Sequence, residues 1–376
     1  MKKIRLRIEE ILLLCWVHLF KLIFFAFPQK HWTICERGTD ARDNGYWFYK
    51  YMKENHPEQK VYYIIDKASV DSCKVKPDMI QPGSVKSYWA LATAQKHISS
   101  HYASGFPIIS PKLFRLCGLD RRFYFLQHGI IKNDLTFLYH KNAPMKLFVC
   151  GAKPEYAYIL RRYGHPPQTV CYTGLARFDQ LHNINCKNQI LVMPTWRAYI
   201  GTEDDFKKSD YYICWQSFLN NDRLREYLEA TGTQLIFYVH YGMQKFTDSF
   251  QVSSDMVKLA TFDEYDVQTL LKESSVLITD YSSVCFDFAY MKKPMVFFQF
   301  DENEFFQNHY GRGYFDYRTM GFGEVCANES QAVESLLKIC NNHMQMEQKY
   351  MDRVSGFFPL YDANNCQRIY DAITNT

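Results

Sequence analysis

The apolar positions of this 376-residue chain gather into short runs separated by longer stretches with helical spacing. That alternation predicts strands buried on both faces and joined by crossover helices. Runs at 61–65, 97–100, 123–126 and 147–150 predict the strands of a first half, which 170–174 closes. The polar stretch 183–188 is the expected linker. Runs at 189–193, 234–239, 276–279 and 295–298 predict a second half that ends in helices. The expected class is α/β, with a first domain over 29–185, a second over 186–350 and a C-terminal helix over 351–376.

The segment 276–300, VLITDYSSVCFDFAYMKKPMVFFQF, reads as strand, polar turn, helix and strand, because Pro294 cannot sit inside the preceding helix. Asp280, Tyr281, Ser282 and Ser283 fall at the strand end, where open parallel sheets bind ligands. Ser or Asp there caps the helix and leaves its first N–H groups for an anion. Asp287, one turn on, can share that face and accept from a ribose hydroxyl. An ordinary capped helix fits these residues equally well.

The N-terminus differs from the rest. Lys2, Lys3, Arg5 and Arg7 precede an apolar and aromatic run, 11–27, broken only by His18 and Lys21. The run is short for a span and carries a cation in its middle. The sequence Phe25-Ala26-Phe27-Pro28 lacks a small-residue cleavage site. Residues 1–28 are therefore expected to form a helix lying in an anionic membrane interface; packing on the first domain is the alternative.

Composition excludes more than it selects. At 47% hydrophobic and 22% charged the balance is that of an ordinary soluble chain. A net charge of +4 is too small to argue for nucleic acid. The twelve Cys are scattered, with no C-x-x-C pair and no His/Cys ligand spacing, so neither a disulfide framework nor a zinc site is indicated and a reducing cytoplasm is the simplest fit.

Chemistry gathers at the ends of the expected strands. Gln127-His128-Gly129 and Lys132 follow one strand, Thr173-Gly174 and Arg177 another. Pro194-Thr195-Trp196-Arg197 and His240 follow two more. Imidazoles, guanidinium groups, an ammonium and a Ser pair so placed suit a phosphate-bearing ligand. No Asp-x-Asp pair lies beside a strand end, so dedicated metal ligands and cofactors are not expected.

These motifs resemble the CDP-glycerol glycerophosphotransferases, the teichoic-acid primases and polymerases of bacterial envelopes. The family's His-Gly loop is matched by His128-Gly129, its Thr-Gly-x-x-Arg-x-Asp by 173–179, and its Pro-Thr-Trp-Arg by 194–197. Its Thr-Asp-Tyr-Ser-Ser-x-x-x-Asp-Phe is matched at 279–288, followed by Lys293-Pro294 and Arg312-Gly313. Two places depart: Ile130-Ile131-Lys132-Asn133 stands where the family has Thr-Pro-Leu-Lys, and Tyr238-Val239-His240-Tyr241 where it has Arg-Pro-His-Pro.

The resemblance implies a GT-B-like architecture of two facing Rossmann-type domains with the active site in their cleft. It implies transfer of a polyol phosphate, glycerol phosphate first, from a CDP-polyol to a hydroxyl of a lipid-linked or growing glycan, with CMP leaving. In this scheme His128 is the general base and His240 steadies the phosphate, roles that are interchangeable. Gly129, Arg177, Thr195, Trp196, Arg197, Ser282, Ser283 and Asp287 bind the donor, with Lys132 and Arg312 as further phosphate contacts; Trp196 either stacks on the ligand or fills the core. The implied setting is the inner face of the cytoplasmic membrane, peripherally bound. A GT-B transferase using a nucleotide sugar, and a catalytically silent scaffold, are the competing readings.

Overall fold

The structure, a computed structural model, describes residues 2–23, 29–102, 111–182, 184–262, 264–309 and 311–376. The chain divides into two compact units, one of Met1–Ile130, Thr136–Gln180 and Asp362–Thr376, the other of Ile131–Leu135 and Leu181–Tyr361.

The first unit is built on seven parallel strands: β1 (His31–Cys35), β2 (Lys60–Ile64), β3 (Met79–Ile80), β4 (Lys96–Ser99), β5 (Phe123–Phe125), β6 (Leu147–Cys150) and β7 (Val170–Tyr172). Their order is 3-2-1-4-5-6-7, so the sheet reverses direction at β1 and β4. Such a switch point is where an open α/β sheet leaves a crevice at its carboxyl edge. All five residues of β1 are buried. This strand was not expected from sequence: its Trp and His in HWTIC interrupt an aliphatic run.

The helix Lys2–Ile23 packs against the helix Val85–Thr93. Val17 is fully buried, and Lys21 Nζ donates to the carbonyl of Cys117. The packing expected as the alternative is thus present on one face. On the other, Ile11, Leu12, Leu19, Leu22 and Ile23 remain exposed. No helix among the described residues is long and apolar enough to cross a membrane. Residues 24–28, the expected end of this segment, lie outside the described residues.

The helix Asn365–Thr374 also belongs to the first unit. Asp179 accepts from Asn365 N at 2.8 Å, Asn365 Nδ2 at 2.7 Å and Cys366 N at 2.8 Å, satisfying N–H groups that a helix start leaves open. Arg368 Nε donates to Thr173 O at 2.8 Å. Gly174, at φ +80°, lies so close to Asn365 that a Cβ there would stand 1.7 Å from Asn365 Oδ1.

The second unit holds six parallel strands: β8 (Gln189–Val192), β9 (Gln234–Tyr238), β10 (Val257–Ala260), β11 (Val276–Thr279), β12 (Met295–Phe298) and β13 (Gly323–Cys326). Their order, 10-9-8-11-12-13, is that of a Rossmann sheet. Trp215, Phe218, Phe237 and Phe298 lie in the core packed on it. Lys293 is buried, and its ammonium donates to the carbonyls of Leu271, Lys272 (3.0 Å) and Ser274 (2.6 Å), closing the end of the helix Val267–Glu273.

The unit boundaries differ from the expected 185 and 350. The second unit begins at Leu181, takes in Ile131–Leu135 and keeps the helix Gln348–Phe357. The short segment is held by loop 311–313: Asp134 N donates to Gly311 O at 3.3 Å, and a Cβ on Gly313 would stand 2.0 Å from Lys132 O.

Candidate active site

In the first unit the candidate side chains lie at carboxyl ends of strands. Glu36 follows β1, fully buried, and accepts from the backbone N–H groups of Arg42 (3.0 Å), Asp43 (3.0 Å) and Tyr46 (2.8 Å). Burial and the charge of Asp43 push its carboxyl up to about 8. The fold of this loop sets Asp43 at the N-cap of the helix Asn44–Asn55.

Asp43 joins two groups expected from sequence. Its Oδ2 lies 2.5 Å from His128 Nδ1, and its Oδ1 accepts from Arg177 Nη1 at 2.7 Å. The same Arg177 nitrogen donates to His128 O at 2.7 Å. Asn44 completes the frame: its Oδ1 accepts from Arg177 N at 3.0 Å, and its Nδ2 donates to Gln127 O at 2.8 Å. That second bond braces a residue at φ +63°, uncommon for a side chain other than Gly, so the turn presenting His128 is fixed from outside.

Burial would raise the Asp43 carboxyl, but His128 and Arg177 outweigh it and hold the group below the usual carboxylate range. A carboxylate accepting from Nδ1 orients the imidazole and leaves Nε2 as the basic nitrogen. The His128 side chain is 55% exposed, so that nitrogen is open to a reactant. Beside it lies His101, its ring centroid 4.8 Å from that of His128. Burial and the neighbouring His128 bring His101 down to about 3, so it is neutral at physiological pH.

The second unit carries the other predicted residues. Arg197, expected as a donor contact, is instead 0% exposed. Its Nη2 meets Asp280 at 2.9 Å and Asp301 at 3.0 Å, its Nε meets Asp301 at 2.7 Å, and its Nη1 donates to Thr195 O at 2.7 Å. The rings of Tyr211, Tyr281 and Phe305 close around it. With every nitrogen engaged, Arg197 ties the loop after β8 to the loops after β11 and β12. Asp280 adds bonds from Thr195 N at 2.8 Å and Tyr281 N at 2.5 Å.

Trp196 is half-buried, its ring 6.0 Å from His240 and 4.7 Å from His309. His240 is half-buried as well, with Nδ1 accepting from Gly242 N at 3.1 Å. Ser282 and Ser283 are half-buried, and Ser283 stands at the start of the helix Val284–Tyr290 without the capping bond expected of it. Asp287 is 3% exposed, inside the unit rather than on its surface.

Lys132 gives a different signal. It is 7% exposed, its ammonium lies 5.8 Å from the Phe286 ring, and among the described residues it makes no hydrogen bond or ion pair. Burial lowers its pKa. A buried cation without a carboxylate is costly, and an arriving anion removes the cost. Nearby, Asn133, Gln299, Arg312, Gly313 and Tyr317 line a cavity of about 150 Å³. Arg312 is exposed at its rim and pairs with Glu302 at 3.0 Å.

Residues 140–375 match the family described as CDP-Glycerol:Poly(glycerophosphate) glycerophosphotransferase. The chain belongs to this family. It is 32% identical over 389 aligned residues to the Minor teichoic acid biosynthesis protein GgaB of Bacillus subtilis (strain 168), covering 99% of this chain and 42% of that protein. It is 25% identical to the Teichoic acid poly(glycerol phosphate) polymerase of the same strain, covering 91% of this chain and 46% of the relative. The chain thus spans less than half the length of these two curated relatives. A solved structure of the wall teichoic acid polymerase TagF superposes with a TM-score of 0.69 at 16% identity, over 100% of this chain and 95% of that one. At that identity the likeness establishes the fold.

Several motif residues of this glycerophosphotransferase-family chain now have physical roles. Asp179 caps the C-terminal helix, Lys293 closes a helix end, and Gly313 admits the Lys132 carbonyl. Glu36, Asp43, Asn44, His101, Asp301 and His309 were not singled out from sequence. Asp43 was detectable only once β1 was recognised, because a search of strand ends begins from the strands.

Proposed function

We propose that this chain transfers a polyol phosphate, glycerol phosphate first, from a CDP-polyol to a hydroxyl of a lipid-linked or growing envelope glycan, releasing CMP. Family membership supports the reaction class, and the His128–Asp43 pair at 2.5 Å carries the chemistry. His128 Nε2 takes the acceptor hydroxyl proton, and the oxygen forms a bond to the phosphorus bearing the polyol. The bond from that phosphorus to CMP breaks, with its electron pair leaving on CMP. Asp43 steadies the imidazolium that results. Arg177 fixes the carboxylate in place.

Lys132, Arg312, Ser282 and Ser283 are assigned to the donor's phosphates, with His240 steadying the transferring group and Trp196 beside the nucleotide. The helix Lys2–Ile23 lies on the cytoplasmic membrane face through Leu12, Leu19 and Leu22, near a lipid-linked acceptor.

The test is CMP release from CDP-glycerol by purified protein with a lipid-linked glycan. Asp43→Asn and His128→Ala should each lower turnover by about 10²–10⁴-fold, the range of general acid–base catalysis. Lys132→Met should weaken CDP-glycerol binding by about 10–150-fold, since a hydrogen bond to a charged group contributes about 1.5–3 kcal/mol. Release of CMP by folded His128→Ala at the wild-type rate refutes the assignment.

A further inference from the structure

Asp43, His101 and His128 each offer a ligand atom, and these atoms lie within 4.8 Å of one another. They come from three separate loops of the first unit, after β1, β4 and β5, so no sequence spacing announces them. Two imidazoles and one carboxylate form a donor set suited to zinc and its first-row neighbours.

The geometry is close to what an ion requires. Bonds of about 2.0–2.2 Å put the donors of one ion roughly 3–4 Å apart, so the widest pair must close by about 1 Å while Asp43 Oδ2 and His128 Nδ1, now 2.5 Å apart, must open. The exposed His128 ring can supply that movement by rotation. His101 Nδ1 is buried and, among the described residues, has no hydrogen-bond partner. Arg177 Nη1 holds Oδ1 of Asp43, and Oδ2, which faces His128 Nδ1, can serve a metal once the ring proton has moved to Nε2.

We propose that Asp43, His101 and His128 form a binding site for a zinc-class divalent ion, and that the ion competes with the proton for His128. The metal takes the Nδ1 lone pair while the ring keeps its single proton on Nε2, so the imidazole stays neutral, and water completes the coordination. No electron transfer is involved. The bound state turns the proposed base into a ligand, so metal arrests phosphate transfer. That arrest rests on the His128 assignment above; the binding does not.

The experiment titrates metal-free, full-length protein with Zn²⁺ by calorimetry and with Co²⁺ by visible absorption, for wild type, His101→Asn and His101→Gln. Wild type should bind one ion more than either variant, at micromolar concentration, with a Co²⁺ spectrum lacking the thiolate charge-transfer band that the free cysteines would give. CMP release by wild type should fall at least tenfold under the same Zn²⁺, while each variant keeps most of its own zinc-free rate. A wild type that binds no Co²⁺ through nitrogen and oxygen donors at 100-fold higher concentration overturns the site, whatever the variants do. Equal binding by folded His101 variants overturns it as well. Binding lost in the variants, together with metal-free wild type that releases no CMP, would keep the site and refute the catalytic assignment instead.

Discussion

Replacing Arg197 by Met separates a scaffold role from a ligand contact. The substitution keeps an unbranched side chain among Tyr211, Tyr281 and Phe305 but removes the cation from two buried carboxylates, Asp280 at 0% and Asp301 at 7% exposure. Asp280 keeps its bonds from Thr195 N and Tyr281 N, whereas Asp301 loses the contacts at 2.7 and 3.0 Å. Breaking one side of a buried ion pair costs about 3–5 kcal/mol. For a unit of about 150–250 residues each kcal/mol moves the melting temperature by about 2–4 °C, so Arg197→Met should melt about 6–20 °C below wild type. Tryptophan fluorescence reports the transition, since Trp215 is buried in the same core. On an Asp301→Asn background the same substitution should cost less, by about 0.5–3 kcal/mol. A melting temperature within 2 °C of wild type, combined with lost CDP-glycerol binding, would refute the scaffold role and return Arg197 to the ligand.

Other outcomes follow from the same reasoning. Burial, then the positive Arg197, His240 and Lys132 nearby, bring His309 down to about 4 from an ordinary 6.5. Between those values the unfolded chain holds a proton that the folded one does not, so stability is full above pH 6.5 and falls towards pH 4. Partial solvent screening limits the loss to about 1–2 kcal/mol, and His309→Gln should flatten that part of a urea-midpoint profile against pH. Leu19→Glu with Leu22→Glu should reduce co-sedimentation with anionic vesicles by at least about tenfold per residue, because each leucine buried in lipid contributes about 1.5–3 kcal/mol; unchanged partitioning refutes the membrane role. Asp179→Ala should cost about 0.5–2 kcal/mol and speed amide exchange across the helix Asn365–Thr374 ahead of the rest of its unit.

The sequence exposed what depends on local pattern. The aliphatic strands β6, β11 and β12 were legible to the residue, because a strand buried on both faces is written as an unbroken apolar run. β1, β10 and β13 were not: HWTIC, VKLA and GEVC mix in polar residues, Trp and Gly that packing tolerates and periodicity does not announce. His128 and Arg177 were identified, but Asp43, the group joining them, was not, since the pairing spans 85 and 134 residues. Arg197 was identified with its motif and given another task, because sequence alone does not distinguish a guanidinium facing a phosphate from one facing two aspartates.

The bonds from Asp179 to the helix Asn365–Thr374 reach across 186 and 187 residues, and every residue of 181–361 is synthesised between them. On the ribosome, the second unit has its whole sequence before the first has received its last helix. Until then Gly174 faces an empty seat where Asn365 belongs, and the loop carrying Arg177 lacks its neighbour. Completion of the loop carrying Arg177 therefore waits for residues 365–374, and a chain released before them would carry a finished second sheet and an unfinished first.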